Sequence, residues 1–284
     1  MRDRRGSDAW SAAGPGAAAA VDVLIPTAGR VAELAVTLAG LAAQDGPPFR
    51  VVVSDQSDDD ASAAPAVQAM VRVLRAQGRE VRMLRHLPRR GLAEHRQFLL
   101  DESDAEAVLF LDDDVWLEPG ALARMGDALD ALGCGFVGMA VQGLSYLDDD
   151  RPAQRAAFEP WDGPVLPERV RRGTPAFDRW PLHNAANLVH LARDVPLPDR
   201  GWLAYKVAWI GACVLYRRAA LVDAGGFSFW SELPTAHAGE DVAAQWRVME
   251  RDGGAGILPS GAVHLEAPTT LPDRAVDAFD VVLP

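Results

Sequence analysis

Cysteine is nearly absent: Cys134 and Cys213 are the only two, too few for a disulfide scaffold or a thiolate cluster. That scarcity fits a reducing compartment, and the expected location is cytoplasmic. Long apolar runs are missing too. No window approaches the roughly 20 apolar residues of a membrane span, because charge, Gly or Pro closes every hydrophobic stretch; loose association with the inner face of a membrane stays open. Positive charge is in deficit, with 28 Lys and Arg against 40 Asp and Glu and a formal charge of -12. Without a basic run interleaved with aromatics, the composition argues against a nucleic-acid partner. A polyphosphate ligand would need a metal or a local arginine.

What is present is a large apolar fraction, 49% of 284 residues, enough for a full core. Residues 1–20, "MRDRRGSDAWSAAGPGAAAA", are broken by Gly, Pro and Ser and read as a flexible leader, not a secretory signal. From Val21 onwards strand and helix patterns alternate. "VDVLIPTAG" is a strand ending in a polar turn, and Leu34, Leu38 and Leu41 follow at helical spacing. Val51 to Val53 form a second strand, "AVQAMVRVLRAQG" a helix closed by Gly78, "EVRMLRH" a third strand, Leu92 to Leu100 a helix, and Val108 to Leu111 a fourth strand. Such alternation predicts an α/β fold with a mostly parallel sheet and helices on both faces.

In such sheets ligands sit beyond the carboxyl ends of the strands. Thr27, Asp55 and the triple acid Asp112, Asp113 and Asp114 each follow a different strand at that edge. One acidic turn is ordinarily a solvated turn. Three polar strand ends at one edge point to a site.

The segments "VDVLIPTAGR", "VVVSDQSDDD", "RRGLAEHRQ", "LFLDDDVWLEPG", "GACVLYRRAALVDAGGF" and "AGEDVAAQWR", in this order over roughly residues 21 to 265, resemble a family 2 glycosyltransferase of the GT-A (Rossmann-like) fold. The resemblance implies sugar transfer from a nucleotide diphosphate sugar, with a UDP-sugar favoured and Mg²⁺ or Mn²⁺ as cofactor. It also implies one domain over 21–284, with a nucleotide-sugar-binding half at 21–145 and an acceptor-binding, catalytic half at 146–284.

On this resemblance Asp55 is the acid that accepts a hydrogen bond from the nucleotide base, a charge-assisted bond; alone it reads as an Asx-turn residue. Thr27 and Arg30 match the turn that meets the nucleotide, although Arg30 also reads as a helix-start residue. Arg96 falls where the family often has Arg-Asn, but Gln97 follows it here, which opens its role to question. Asp112-Asp113-Asp114 aligns with the family's Asp-x-Asp element. Asp114 is then the best direct metal ligand and Asp112 a second candidate, with Asp112 or Asp113 reaching the ribose or a metal-bound water, since Mg²⁺ takes one or two carboxylates plus substrate phosphates.

Asp148 to about Asp199 is rich in Pro, Arg and Trp with little periodicity, and reads as a long excursion over the active-site face. Gly211 matches a small residue that lets substrate pass the backbone, or packs tightly against a helix. Trp202, Trp209 and Trp230 offer sugar-stacking rings or core packing. Glu240 and Asp241 open a helix on which Val242, Trp246 and Met249 share a face; acids there suit the helix dipole. The resemblance instead makes Asp241, with Glu240 beside it, the catalytic base of an inverting transfer. His264 occupies the region of a late metal-binding histidine, or is structural. The acceptor, whether glycan, lipid-linked or small molecule, is not named by any motif. A noncatalytic nucleotide-sugar-binding or scaffold protein of the same fold is the alternative. A nucleotidyltransferase would want a Gly-rich basic loop that "PTAGR" does not supply.

Overall fold

A computed structural model of the chain describes residues 19–270 and 275–283, so the expected leader at 1–20 lies almost wholly outside the described residues. The apolar runs form β1 (Val21–Thr27), β2 (Phe49–Asp55), β3 (Val81–Arg85) and β4 (Ala107–Leu111). Between them run α1 (Val31–Ala42), α2 (Pro65–Ala76) and α3 (Leu92–Asp101). After β4 come β5 (Val115–Leu117), α4 (Ala121–Leu132) and β6 (Phe136–Gly138). The excursion carries only α5 (Pro152–Arg155), a 3-10 segment at Phe177–His183 and α6 (Leu188–Asp194). The chain returns through β7 (Leu203–Tyr205), β8 (Cys213–Arg217), α7 (Arg218–Asp223), α8 (Glu240–Asp252), β9 (Gly254–Leu258), β10 (Ala262–His264) and α9 (Ala278–Val282).

Eight strands make one sheet in the order β3-β2-β1-β4-β8-β6-β9-β7, while β5 and β10 form a small antiparallel pair. The first four strands are parallel, as the alternation requires, and β6 and β9 are parallel to each other. β8 runs against both of its neighbours, β4 and β6. It is therefore the start of β8 that reaches the edge where β4 ends: Cys213 pairs with Leu111, and the Asp112 amide donates to the Ala212 carbonyl at 2.9 Å.

Each central strand is buried on both faces, so its side chains divide by parity. Val23, Ile25, Val51, Val53, Leu109 and Leu111 pack with Leu34, Leu38, Val71 and Met125 of α1, α2 and α4. Leu24, Val52, Val108 and Phe110 face the other way, against Leu99, Leu191, Trp246 and Phe279 of α3, α6, α8 and α9.

The excursion docks along the β7 edge. Pro160 bridges Tyr205, the Trp161 amide donates to the Ala204 carbonyl at 3.0 Å, and the Lys206 amide donates to the Glu159 carbonyl at 2.8 Å. Its far end touches the active-site edge, where the Gly143 amide donates to the Ala185 carbonyl at 3.1 Å. Among the described residues no helix is long and apolar enough to cross a membrane.

Leu109 is fully buried at the centre of β4. Leu109→Ala is expected to lower stability by about 2–5 kcal/mol, the range for leucine-to-alanine in a closed core, measured by urea unfolding.

Candidate active site

The carboxyl ends of β1, β2 and β4 bring Thr27, Asp55 and the triple acid together, as the sequence predicts. Thr27 pairs in register with Asp55. Its hydroxyl donates to Asp113 Oδ2 at 2.7 Å, and Thr37 of α1 donates to the Asp113 carbonyl at 2.8 Å. The acidic turn is thus fixed by side chain and backbone alike.

Its mutual repulsion is offset by two arginines. One guanidinium nitrogen of Arg30 donates to Asp113 Oδ1 at 3.1 Å and to Asp114 Oδ2 at 2.6 Å. Arg96, buried on α3, donates through Nε to Glu240 Oε1 and through a terminal nitrogen to Asp112 Oδ1, each at 2.9 Å. The carboxyl of Asp113 is nevertheless pushed up to about 6, because burial outweighs the Thr27 hydrogen bond and the Arg30 charge. Burial and the charge of Asp112 also raise Asp114, against the opposing pull of His264 and Arg30.

Arg96 draws the second half of the chain into the site. Glu240 and Asp241 begin α8, and Arg96 holds Glu240 directly. A helix start favours ionised acids, yet Asp241 is pushed up to about 7: burial and the neighbouring Glu240 outweigh Arg96, and Asp112 adds to the repulsion. Burial and the neighbouring carboxylate thus act against the helix dipole at this position. The result is a carboxyl poised near neutrality, the range useful to a general base. Ala212, just before β8, touches the turn through Asp112, and a side chain placed on Gly211 would meet open space, so Gly211 is not packed against a helix.

Asp55 lies at the end of β2 with its oxygens engaged. Oδ1 accepts from the Ser57 amide at 2.7 Å, and Oδ2 accepts from the Ala61 amide at 2.8 Å and from Arg85 at 2.7 Å. Burial raises its pKa, but the Ser57 hydroxyl and amide, the Ala61 amide and Arg85 outweigh it and hold Asp55 below its ordinary value. The Asx-type turn is therefore formed. A base approaching this acid would exchange with Arg85, which is about one-third exposed at 34%.

A cavity of about 260 Å³ opens in front of the acids, lined by Thr27, Arg30, Asp112, Asp113, Asp114 and His264 among others. β10 brings His264 to the turn: the Leu265 amide donates to the Asp114 carbonyl at 2.8 Å, and His264 Nε2 stands 3.5 Å from Asp114 Oδ2. His264 Nδ1 accepts from the Glu266 amide at 2.8 Å, which leaves the proton of a neutral ring on Nε2. Asp112 stays with Arg96, so among the described residues no three His, Cys, Asp or Glu side chains gather around one point. Asp114 with His264 is still a hard-oxygen and imidazole pair that suits Mg²⁺ or Mn²⁺ completed by phosphates. The fit requires Arg30 to leave Asp114 and the imidazole proton to move off Nε2.

Some site residues carried no signal in the sequence. His95 lines the cavity, hydrogen-bonds Ser54 and is held neutral, its pKa pushed down to about 3 by burial and then by His86. His237, fully buried, accepts from the Ala93 amide at 3.1 Å and donates to the Pro234 carbonyl at 2.7 Å, tying the start of α3 to the loop before α8. Gly91, at φ +102°, leaves the room: a Cβ there would lie 2.6 Å from His237 Cε1. Among the tryptophans, Trp202 is buried in the core, Trp209 packs on His183 and Phe177, and Trp230 is partly buried against the α-helical core.

A family model described as glycosyl transferase family 2 matches residues 22–191. Among curated proteins none matches the chain. The mannosyltransferase PcManGT from Pyrobaculum calidifontis, solved in complex with GDP-Man and Mn²⁺, has a TM-score of 0.57 at 16% identity, over 93% of this chain and 64% of its own. S. aureus TarS 1-349, solved in complex with UDP-GlcNAc, has a TM-score of 0.51 at 17% identity, over 88% of this chain and 60% of its own. The chain thus spans less than two thirds of either structure, and the likeness is one of fold.

Removing Arg96 would strand two carboxylates. Arg96→Met is expected to cost about 3–5 kcal/mol at pH 8, as for breaking a buried pair on one side. With the guanidinium gone, the folded state binds protons more tightly than the unfolded chain, so stability falls as pH rises. The deficit measured by urea unfolding should therefore be smaller at pH 5 than at pH 8.

Proposed function

The chain belongs to glycosyl transferase family 2, and from that membership we propose that it is a metal-dependent, inverting glycosyltransferase moving a sugar from a nucleotide diphosphate sugar to an acceptor hydroxyl. The observation that carries this reading is the Arg96 bridge, which joins Asp112 to Glu240 and so sets the acid next to Glu240, Asp241, beside the donor-side acids. In this proposal residues 21–284 act as one domain. The 21–145 half binds the donor, and the 146–284 half supplies the acceptor surface and the base.

The donor diphosphate lies in the cavity against Thr27 and Arg30, and Asp55 reads the base once Arg85 yields. UDP-sugars are the first donors to test. The solved relatives hold different bases, uridine in one and guanosine in the other, so fold alone does not choose. When bound, a divalent cation at Asp114 and His264 neutralises charge on the leaving diphosphate. Asp112, held by Arg96, keeps the acidic turn in place and faces the ribose.

Asp241 takes the proton of the acceptor hydroxyl as that oxygen attacks the anomeric carbon. The bond from that carbon to the diphosphate oxygen breaks on the opposite face, and the bonding pair leaves with the diphosphate. An alpha-linked donor then yields a beta-linked product. Glu240, paired with Arg96, orients the start of α8 and keeps Asp241 poised.

Asp241→Asn should lower turnover by about 10²–10⁴-fold with donor affinity near wild type. Since Asp241 is pushed up to about 7, kcat/KM of the wild type should climb with pH towards that value and level off above it. A flat profile, or near-normal turnover in the variant, would return Asp241 to a structural role.

Asp114→Asn should abolish Mn²⁺-dependent tightening of UDP binding in calorimetry while leaving the circular dichroism unchanged. Full metal dependence in that variant would move the cation away from Asp114.

A further inference from the structure

We propose that Arg30 is a built-in stand-in cation: without ligand its guanidinium closes the Asp113–Asp114 pair, and a divalent cation enters only together with a nucleoside diphosphate that takes the guanidinium over. This rests on the reading of the acidic turn as a cation site.

The geometry sets up a competition. The Arg30 nitrogen that lies 3.1 Å from Asp113 Oδ1 lies 2.6 Å from Asp114 Oδ2, the same oxygen that His264 approaches to 3.5 Å. A cation shared by Asp114 and His264 would meet that nitrogen, and two positive charges do not share one carboxylate oxygen at such distances. The cation alone must therefore displace Arg30 from Asp114 without supplying a new acceptor for the bond that is lost.

Arg30 is also built to let go. Among the described residues its Nε is buried without a hydrogen-bond partner, and beyond the two carboxylates it donates to the Pro268 carbonyl, in an exposed stretch beyond β10. The arm springs from a turn whose Gly29 takes φ +76° with open space where a Cβ would stand. The cavity of about 260 Å³ lies directly against it, with the Thr27 side chain on its wall.

The planar guanidinium fork matches phosphate oxygens. A diphosphate entering this cavity gives Arg30 new acceptors at the moment the cation takes over Asp114. Each ligand then removes the cost the other would bear, so the two bind with positive cooperativity, and by linkage each tightens the other by the same factor. In the exchange the carboxylates trade a single positive charge for a double one, the arginine trades carboxylates for phosphates, and the negative charge of the diphosphate offsets the added positive charge.

The experiment titrates the full chain with Mn²⁺ alone and with Mn²⁺ plus UDP, reading free Mn²⁺ by electron paramagnetic resonance. The wild type should bind Mn²⁺ alone weakly and bind it much more tightly with UDP. Arg30→Gln should bind Mn²⁺ alone at least about tenfold more tightly than wild type and lose most of the UDP-linked gain. Arg30→Lys, which keeps the charge, should keep Mn²⁺ out as the wild type does and so separate charge from packing. If Arg30→Gln binds Mn²⁺ alone no more tightly than wild type while both bind it with UDP, the stand-in role is overturned and the cation site survives. If neither protein binds Mn²⁺ with UDP present, the cation site and the stand-in role fall together.

Discussion

A positive charge sealed away from water must be answered by negative charge at hydrogen-bond distance, and the buried guanidinium of Arg96 meets that demand with residues from two distant parts of the chain. Asp112 follows β4, Glu240 begins α8, and Arg96 stands on α3 between them. Three elements are thereby held at one rim. Because desolvation consumes much of what such pairing returns, the contribution of the bridge is chiefly geometric: it allows one arrangement of the two halves and penalises others. His237 adds a second tie between the same two elements, from α3 to the loop that leads into α8.

The same rim shows how close acids coexist without a large net charge. Burial pushes the carboxyls of Asp113 and Asp241 upwards, and neighbouring carboxylates add to the shift, so both are easier to protonate than free acids. Arg30 and Arg96 answer these oxygens in part. Such a rim keeps some repulsion in the folded protein, as functional clefts commonly do.

The parallel strands were legible in the sequence because strands buried on both faces appear as continuous apolar runs, and the polar residue after each run marks its carboxyl end. Thr27, Asp55 and the triple acid stand at one edge for that reason. The direction of β8 was not legible, since "GACVLYRR" has the same composition whichever way it runs. The short β6 and β7, three residues each, fall below any periodic signal. Partner choice was hidden too: Arg30 reaches acids more than eighty positions away and Arg96 reaches Glu240 across 144. Local rules were incomplete at Asp241, because the helix-start argument counts a nearby dipole and not the burial and the neighbouring carboxylate that act against it.

The sheet has two ends, and they are finished differently. At one end β3 bears Arg82 and Arg85, and charge on an edge strand discourages a second strand from adding. At the other end β7 meets Pro160, whose ring nitrogen has no proton to offer. A stranger strand arriving there would find the ladder already terminated by a residue that cannot propagate it. The sheet can therefore carry eight strands of apolar sequence through synthesis and crowding with little tendency to grow into a polymer of its own kind.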